Sequence, residues 1–508
     1  MKDSGAPVTS GHATEVGGMV RLPMRLSERR VLLMALDLIA LNGALLLSLA
    51  LRRGYALDLG LVLQEPLWFL LLSALWFPLA SAFDAYDVQV AGDASRTALT
   101  ILKAALLTVA IYVLIPYLTP TLPRSRSQLL TFPVLTLGLL GVGRALYLWV
   151  LDQPVFRRRA LIVGAGWAGR TIAQALAQQG NGTYRVVGFV DDDPHKLGKG
   201  AWELGSTGAE EQKRLSKGAQ APPHPGSSAP PLVLGDRHAL PGLIDRHSIN
   251  TLILAITHDV DGELLGIVTD CLPQGVDVVS MPVLYEELTG RVPVEHVGGN
   301  WYVAMPLRHA SSSALWSLAK RAFDLVTAGV GAMLLTVALP FIALAIALDS
   351  PGPIFYTQER VGKGGRHFSV YKFRSMVPDA EKPGQAVWAD EHDPRVTCVG
   401  RFLRRTHIDE FPQFFNILKG EMSAVGPRPE RPEFVEELAE EIPFYRVRHA
   451  VKPGMAGWGL VKQGYGSSKQ DTMIKLQYDL YYIKHQSLWL DMVILLKTIL
   501  DTVTFGGR

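Results

Sequence analysis

Asp409 and Glu410 are adjacent acids set between basic residues: Arg401, Arg404 and Arg405 lie just before them, and Arg428 follows within Gly426-Pro427-Arg428-Pro429. An Asp carboxylate of ordinary pKa is ionised at neutral pH and can attack phosphorus without a base, provided that cations neutralise the repelling phosphate. The product is an acyl phosphate, activated enough to hand its phosphoryl group to a second, weak nucleophile such as a lipid phosphate oxygen. The neighbouring Glu410 can hold Mg2+, a hard ion that typically uses one or two carboxylates plus substrate phosphates. Adjacent acids at a helix start are also commonly just a cap and a dipole match. The surrounding arginines, which bind phosphate through bidentate hydrogen bonds, turn the reading toward chemistry.

These residues need elements to position them. Phe411, Phe414, Phe415 and Leu418 fall at i, i+3, i+4 and i+7, which predicts an amphipathic helix with Asp409 near its N-cap and Pro412 in its first turn. Upstream, glycines and cations alternate through Ser350-Pro351-Gly352-Pro353, Gly362-Lys363-Gly364-Gly365-Arg366 and Lys372-Phe373-Arg374. That surface suits phosphates, with a generic anionic-lipid patch as the alternative. Before it, Lys320 and Arg321 lead into the apolar run Ala322–Leu348, interrupted by Asp324 and Pro340. Pro340 removes the hydrogen bond to the Thr336 carbonyl and kinks a helix, and inside lipid the freed carbonyl needs another partner. A single crossing here would carry everything after residue 350 to the far side of the membrane, away from a cytoplasmic nucleotide substrate. The run 320–348 is therefore read as a re-entrant helix that breaks near Pro340 and returns to the same face.

The first third of the chain explains a mean hydropathy of +0.18 with only 19% charged residues. Residues 1–30 read as a disordered cytoplasmic tail. Apolar runs at Val31–Leu51, 65–82, 98–118 and 128–150 then give four transmembrane helices of about 20 residues each, with Lys103 and Arg144 placed to snorkel. Arginines before the first run, and Arg157, Arg158 and Arg159 after the fourth, put both ends inside. Residues 157–300 change character. A short strand runs into Gly164, Gly166 and Gly169, a helix follows over Trp167–Gln179, and a second strand, Tyr184–Val190, ends in Asp191. This is a Rossmann-like start with Asp191 where a ribose-binding acid would sit; a structural or oligomerising role and a dinucleotide site are both open. Segment 217–231 is a Pro-rich insertion. Two distant cysteines, Cys271 and Cys398, match no zinc or redox spacing. A net charge of +3 with interleaved acids gives no support to nucleic-acid binding.

The ordered set Lys320-Arg321, Phe323-Asp324, Pro340, Ser350–Pro353, Lys372–Met376, Asp409-Glu410, Pro412-Gln413, Asn416–Ser423, Gly426–Pro429 and Lys452–Trp458 resembles the polyprenyl-phosphate hexose-1-phosphate transferase family of bacterial sugar transferases over about 315–508. With the helix bundle and Rossmann-like unit, the likeness extends to the large members of that family. The resemblance implies a re-entrant catalytic domain at the bacterial inner membrane, ping-pong transfer of hexose-1-phosphate from UDP-glucose or UDP-galactose to undecaprenyl phosphate, and Asp409 as nucleophile with Glu410 associated with Mg2+. It implies that Arg428 contacts the donor's phosphates or uridine, with Arg404, Lys372 and Arg374 as further phosphate contacts. Phe411 departs from the leucine usual in the family and keeps its apolar character. Lys452, Pro453, Gly454 and Gly457 suit a structural turn as well as a substrate contact. A homodimer is expected. Two other functions compete: a membrane-bound nucleotide-sugar dehydratase or epimerase, whose Tyr-x-x-x-Lys spacing occurs only at Tyr465 and Lys469, and a ligand sensor or scaffold built on the first 300 residues.

Overall fold

The protein is seen here in a computed structural model that describes residues 24–51, 59–121, 126–151, 153–180, 182–199, 231–256, 261–294, 313–378, 380, 393–464 and 468–503. The expected tail up to residue 23, most of the Pro-rich insertion (217–230), and Tyr465 lie outside the described residues.

Four helices, α1 (Leu26–Ala50), α2 (Pro66–Ala82), α3 (Ala94–Leu114) and α4 (Arg126–Leu151), match the four apolar runs. Three of them are long and apolar enough to cross a membrane, and α2, at 17 residues, is a shorter apolar helix. They pack around Leu41, Leu72, Trp76, Ala104 and Leu140. Arg144 does not snorkel as the sequence suggested. It is buried on α4, where its guanidinium pairs with Asp37 of α1 at 2.6 Å and also donates to the Ala85 carbonyl at 2.8 Å. An arginine on an interior helix face cannot reach water, so it takes the buried acid that α1 presents beside it.

The second unit is a parallel five-stranded sheet, ordered β3-β2-β1-β4-β5: β1 (Arg158–Val163), β2 (Tyr184–Val190), β3 (Val233–Gly235), β4 (Thr251–Leu254) and β5 (Asp277–Ser280). Its helices are α5 (Trp167–Gln179), α6 (Leu240–His247), α7 (Gly262–Asp270) and α8 (Met281–Thr289). Alternate β1 residues bury into opposite cores: Ala160 and Ile162 join one, Leu161 and Val163 the other. That is what a sheet covered on both faces requires. The glycine turn is built for packing. Gly164 has φ +105°, and a Cβ on Gly169 would lie 1.9 Å from the Gly164 carbonyl oxygen, so helix and turn touch backbone to backbone. The Asp191 carboxylate, placed where a ribose-binding acid would sit, accepts the Ala165 N–H at 2.7 Å, the Asp193 N–H at 3.0 Å and the Lys196 ammonium at 3.0 Å. It ties the end of β2 to the glycine turn. Gly166 caps α5, with open space where a Cβ would stand.

The third unit starts with α9 (Ala314–Asp349), which is helical without interruption through Pro340, so the proline lies inside a helix rather than ending one. At about 1.5 Å per residue, its 36 residues follow a helical path of about 54 Å. Both ends are held by the same unit. Near the start, Asp324 accepts from the Ser423 hydroxyl and the Ala424 N–H. Midway, Gly331 lies so close to the Phe414 ring that a Cβ would sit 2.3 Å from it. At the end, Leu335 and Ile346 bury against Phe373 and Leu403. Outward-facing Val326, Val330, Val337, Phe341 and Leu348 leave an exposed apolar strip. The remaining elements are the antiparallel hairpin β6 (Phe355–Val361) and β7 (His367–Phe373), then α10 (Cys398–Arg405), α11 (Gln413–Lys419), β8 (Ser423–Val425), α12 (Pro432–Glu441), β9 (Gly454–Ala456, parallel to β8), α13 (Trp458–Gln463), α14 (Lys469–Lys484) and α15 (Leu488–Val503).

Candidate active site

Asp409 and Glu410 occupy a 3-10 turn, Ile408–Glu410, between α10 and α11. The helix expected after Asp409 begins four residues later, at Gln413, so Asp409 is not its N-cap. The buried face also differs from the expected one. Asn416 and Ile417 are fully buried, whereas Phe415 is exposed. The exchange has a clear cause: the Asn416 amide works as an extra strand residue, accepting the Tyr371 N–H at 3.1 Å and donating to the Ser369 carbonyl at 2.7 Å and to Glu421 at 2.7 Å. It clips α11 to β7, and so fixes Lys372, the next residue on β7, against the acid pair.

Glu410 is clamped. Lys372 Nζ lies 2.8 Å and Arg428 Nη2 2.7 Å from its Oε1, with Arg428 Nη1 3.4 Å from Oε2. Burial alone would push this carboxyl up, but Arg428 and Lys372 outweigh it and hold Glu410 well below the usual carboxylate range. Asp409 is buried as well, yet among the described residues no donor hydrogen-bonds to its carboxylate. Burial first, and then the Glu410 charge, push its carboxyl up to about 6, while Lys372, Arg404 and Arg428 favour its ionised form. The turn thus presents one ionised, cation-paired acid and one poised acid with free lone pairs.

The other sequence candidates separate into two groups. Arg404, half-buried in the last turn of α10, joins the field around Asp409. Arg374 does not reach the acids. Its guanidinium donates to the carbonyls of Ser350 (2.6 Å) and Pro351 (3.0 Å), capping the end of α9. The block Lys452–Gly457 acts through backbone packing, since a Cβ on Gly454 would lie 2.0 Å from the Gly426 nitrogen. Sequence reasoning missed the supports of Arg428. Arg448 donates to the Arg428 carbonyl at 3.2 Å and pairs with buried Asp479 at 2.8 Å, and Arg360 donates to the Pro429 carbonyl at 3.2 Å. No motif or spacing flags Arg448 and Asp479, 31 residues apart.

Among the described residues no group of three or more His, Cys, Asp or Glu is placed to hold a metal. Mg2+ commonly rests on one or two carboxylates and takes its other oxygens from phosphates and water; of this pair Asp409 keeps open lone pairs, whereas Glu410 is held by Lys372 and Arg428 and would be open to the ion only once those cations turn to a donor phosphate.

Comparison with known proteins agrees with this architecture. Residues 315–505 match the bacterial sugar transferase family and residues 81–282 match a CoA-binding domain family. The chain is 43% identical over 251 residues to a UDP-N-acetylgalactosamine-undecaprenyl-phosphate N-acetylgalactosaminephosphotransferase of Aeromonas hydrophila, a match covering 49% of this chain and 58% of the relative. It is 32% identical over 389 residues to an undecaprenyl-phosphate glucose phosphotransferase of Komagataeibacter xylinus, covering 74% and 65%. It is 38% identical over 195 residues to the exopolysaccharide production protein PSS of Rhizobium leguminosarum, covering 37% of this chain and 96% of the relative. The chain belongs to the bacterial sugar transferase family. It does so as a membrane protein with a Rossmann-like unit ahead of the family domain.

Proposed function

We propose that this protein transfers a sugar-1-phosphate from a UDP-sugar to undecaprenyl phosphate, through a covalent intermediate on Asp409. The observation that carries this reading is the turn itself: Asp409 with free lone pairs, beside Glu410, Lys372 and Arg428. An Asp409 oxygen attacks the sugar-bearing phosphorus of the donor. The new O–P bond forms as the bond to the bridging oxygen breaks, and UMP departs with that electron pair. A phosphate oxygen of the lipid then attacks the same phosphorus, which restores the Asp409 carboxylate and yields the diphosphate-linked sugar. Lys372 and Arg428, which already hold a carboxylate, are the cations placed to receive the donor's diphosphate. Once those cations turn to the diphosphate, Glu410 would be free to hold Mg2+, which would neutralise phosphate charge.

Both ends of α9 rest on one unit, which supports a helix that dips into the bilayer and returns, with Pro340 inside it and the acid pair on the cytoplasmic face. The names of the relatives extend the donors to test from UDP-glucose and UDP-galactose to UDP-N-acetylgalactosamine. The test is UMP release from purified protein with each donor, Mg2+ and undecaprenyl phosphate. One donor giving lipid-dependent UMP supports the transferase and names its sugar; bound nicotinamide and a lipid-free sugar product would instead favour the dehydratase reading.

The raised pKa of Asp409 sets a pH dependence. Only the ionised carboxylate attacks, so kcat/KM for the donor falls by about tenfold per pH unit below about 6 and levels off above it. In a Glu410→Gln variant the limb moves to lower pH, because a like charge beside Asp409 is gone. A profile flat from pH 5 to pH 8 in the wild type would count against Asp409 as the attacking group.

A further inference from the structure

We propose that Asp84, at the tip of the α2–α3 membrane hairpin, is a positioning residue for Arg428 and acts through α13. The proposal rests on the assignment of Arg428 to the nucleotide donor. Asp84 is a non-glycine residue held at φ +59°. This conformation turns its carboxylate out of the bundle into the third unit, where Oδ1 meets Lys462 of α13 at 3.0 Å and Oδ2 meets Lys497 of α15 at 2.5 Å. Lys497 is buried and Lys462 largely so. The bundle therefore supplies the charge that lets two lysines sit side by side away from water. The paired acid holds its ordinary charge because, although burial raises the Asp84 pKa, Lys462 and Lys497 lower it further.

The other end of α13 leaves no slack before the arginine loop. Gly457, just ahead of the helix, lies so near the loop that a Cβ there would stand 2.8 Å from the Gly426 carbonyl oxygen and 4.0 Å from the Arg428 nitrogen. Two further backbone bonds fasten the same stretch: Gly426 N–H to the Ala456 carbonyl and Gly454 N–H to the Pro427 carbonyl, each 2.9 Å. On its flank, Trp458 donates to the Gly290 carbonyl of the Rossmann-like unit at 3.2 Å, and the Lys462 ammonium lies 5.1 Å from the Trp458 ring centre. So α13 is fixed by the bundle at one end and the Rossmann-like unit at its side, and it presses on Gly426–Arg428 at the other. Without the Asp84 charge, Lys462 and Lys497 repel each other, α13 retreats, and Arg428 loses its register with Glu410. The 300 residues ahead of the transferase unit thereby act on donor binding without touching the donor.

The experiment is calorimetric binding of UMP to the full-length protein in detergent. Asp84→Asn is expected to weaken UMP binding by about fivefold, Lys462→Met to weaken it similarly, and Asp84→Glu to restore near wild-type affinity. In an Arg428→Ala background, Asp84→Asn is expected to have no further effect. Unchanged affinity in both Asp84→Asn and Lys462→Met overturns the proposal, as does an equal loss with and without Arg428, which is what general loosening would give. If Arg428→Ala alone leaves UMP binding intact, the assignment of Arg428 to the donor fails, and the proposal with it.

Discussion

Asp409→Asn loses lipid-dependent UMP release by about 10⁴-fold or more, the scale on which removing a nucleophile acts. An amide of the same shape has no lone pair suited to attack phosphorus, and Glu410 cannot substitute, because Lys372 and Arg428 already hold its oxygens. Two measurements separate lost chemistry from lost structure. Without lipid, the wild type given donor and Mg2+ should release about one UMP per chain and gain the mass of a sugar phosphate on the peptide carrying Asp409; the variant should do neither. Stability should move the other way. Folding raises the Asp409 pKa, so its ionised form destabilises the protein at every pH above its unfolded value near 4, fully so once pH passes about 6. At pH 8 Asp409→Asn should therefore melt no lower than the wild type. A variant that retains UMP release at the wild-type rate removes Asp409 from the mechanism.

Lys320→Met is the second large effect, and it is one of stability. Lys320 Nζ lies 2.7 Å from Asp491, 3.5 Å from Asp324 and 3.2 Å from the Val425 carbonyl. Both acids are almost fully buried; Tyr482 donates to Asp491 at 2.8 Å. Removing that cation leaves two buried carboxylates without their ion-pair partner, Asp324 keeping only the Ser423 hydroxyl and the Ala424 N–H, and breaking a buried pair in this way costs about 3–5 kcal/mol. Thermal unfolding in detergent reads the loss, and Asp491→Asn added to Lys320→Met should recover part of it by discharging one stranded acid. An unchanged melting temperature in Lys320→Met would mean that the network carries no net stability.

This network shows what the sequence could and could not reveal. Lys320 and Asp324 were visible as two members of a motif, but their partner Asp491 lies 171 residues away, at a distance no spacing rule reaches. The helices and strands were legible because hydrophobic runs and glycine turns are local signals, so α1–α4 and β1–β2 fall where periodicity placed them. Local patterning misled where a side chain bonds across the fold. Asn416 replaced a phenylalanine on the buried face of α11 because its amide satisfies strand β7, and Arg374, read as a phosphate ligand, has both of its Nη groups bonded to the end of α9. The acid pair stood out in the sequence by its adjacency and its flanking arginines; which acid is clamped and which is poised depends on Lys372 and Arg428 arriving from other elements.

The Asp37–Arg144 pair bears on how the bundle is made. Its members belong to the first and the last of four helices, more than a hundred residues apart along the chain. During synthesis α1 emerges long before α4, and in that interval Asp37 has no arginine to answer it in the hydrocarbon, where a lone charge is unfavourable by several kcal/mol. Helix α1 is long and apolar enough to span on its own, but its buried acid gains a partner only when α4 joins it, so the first and last helices of the bundle are energetically coupled.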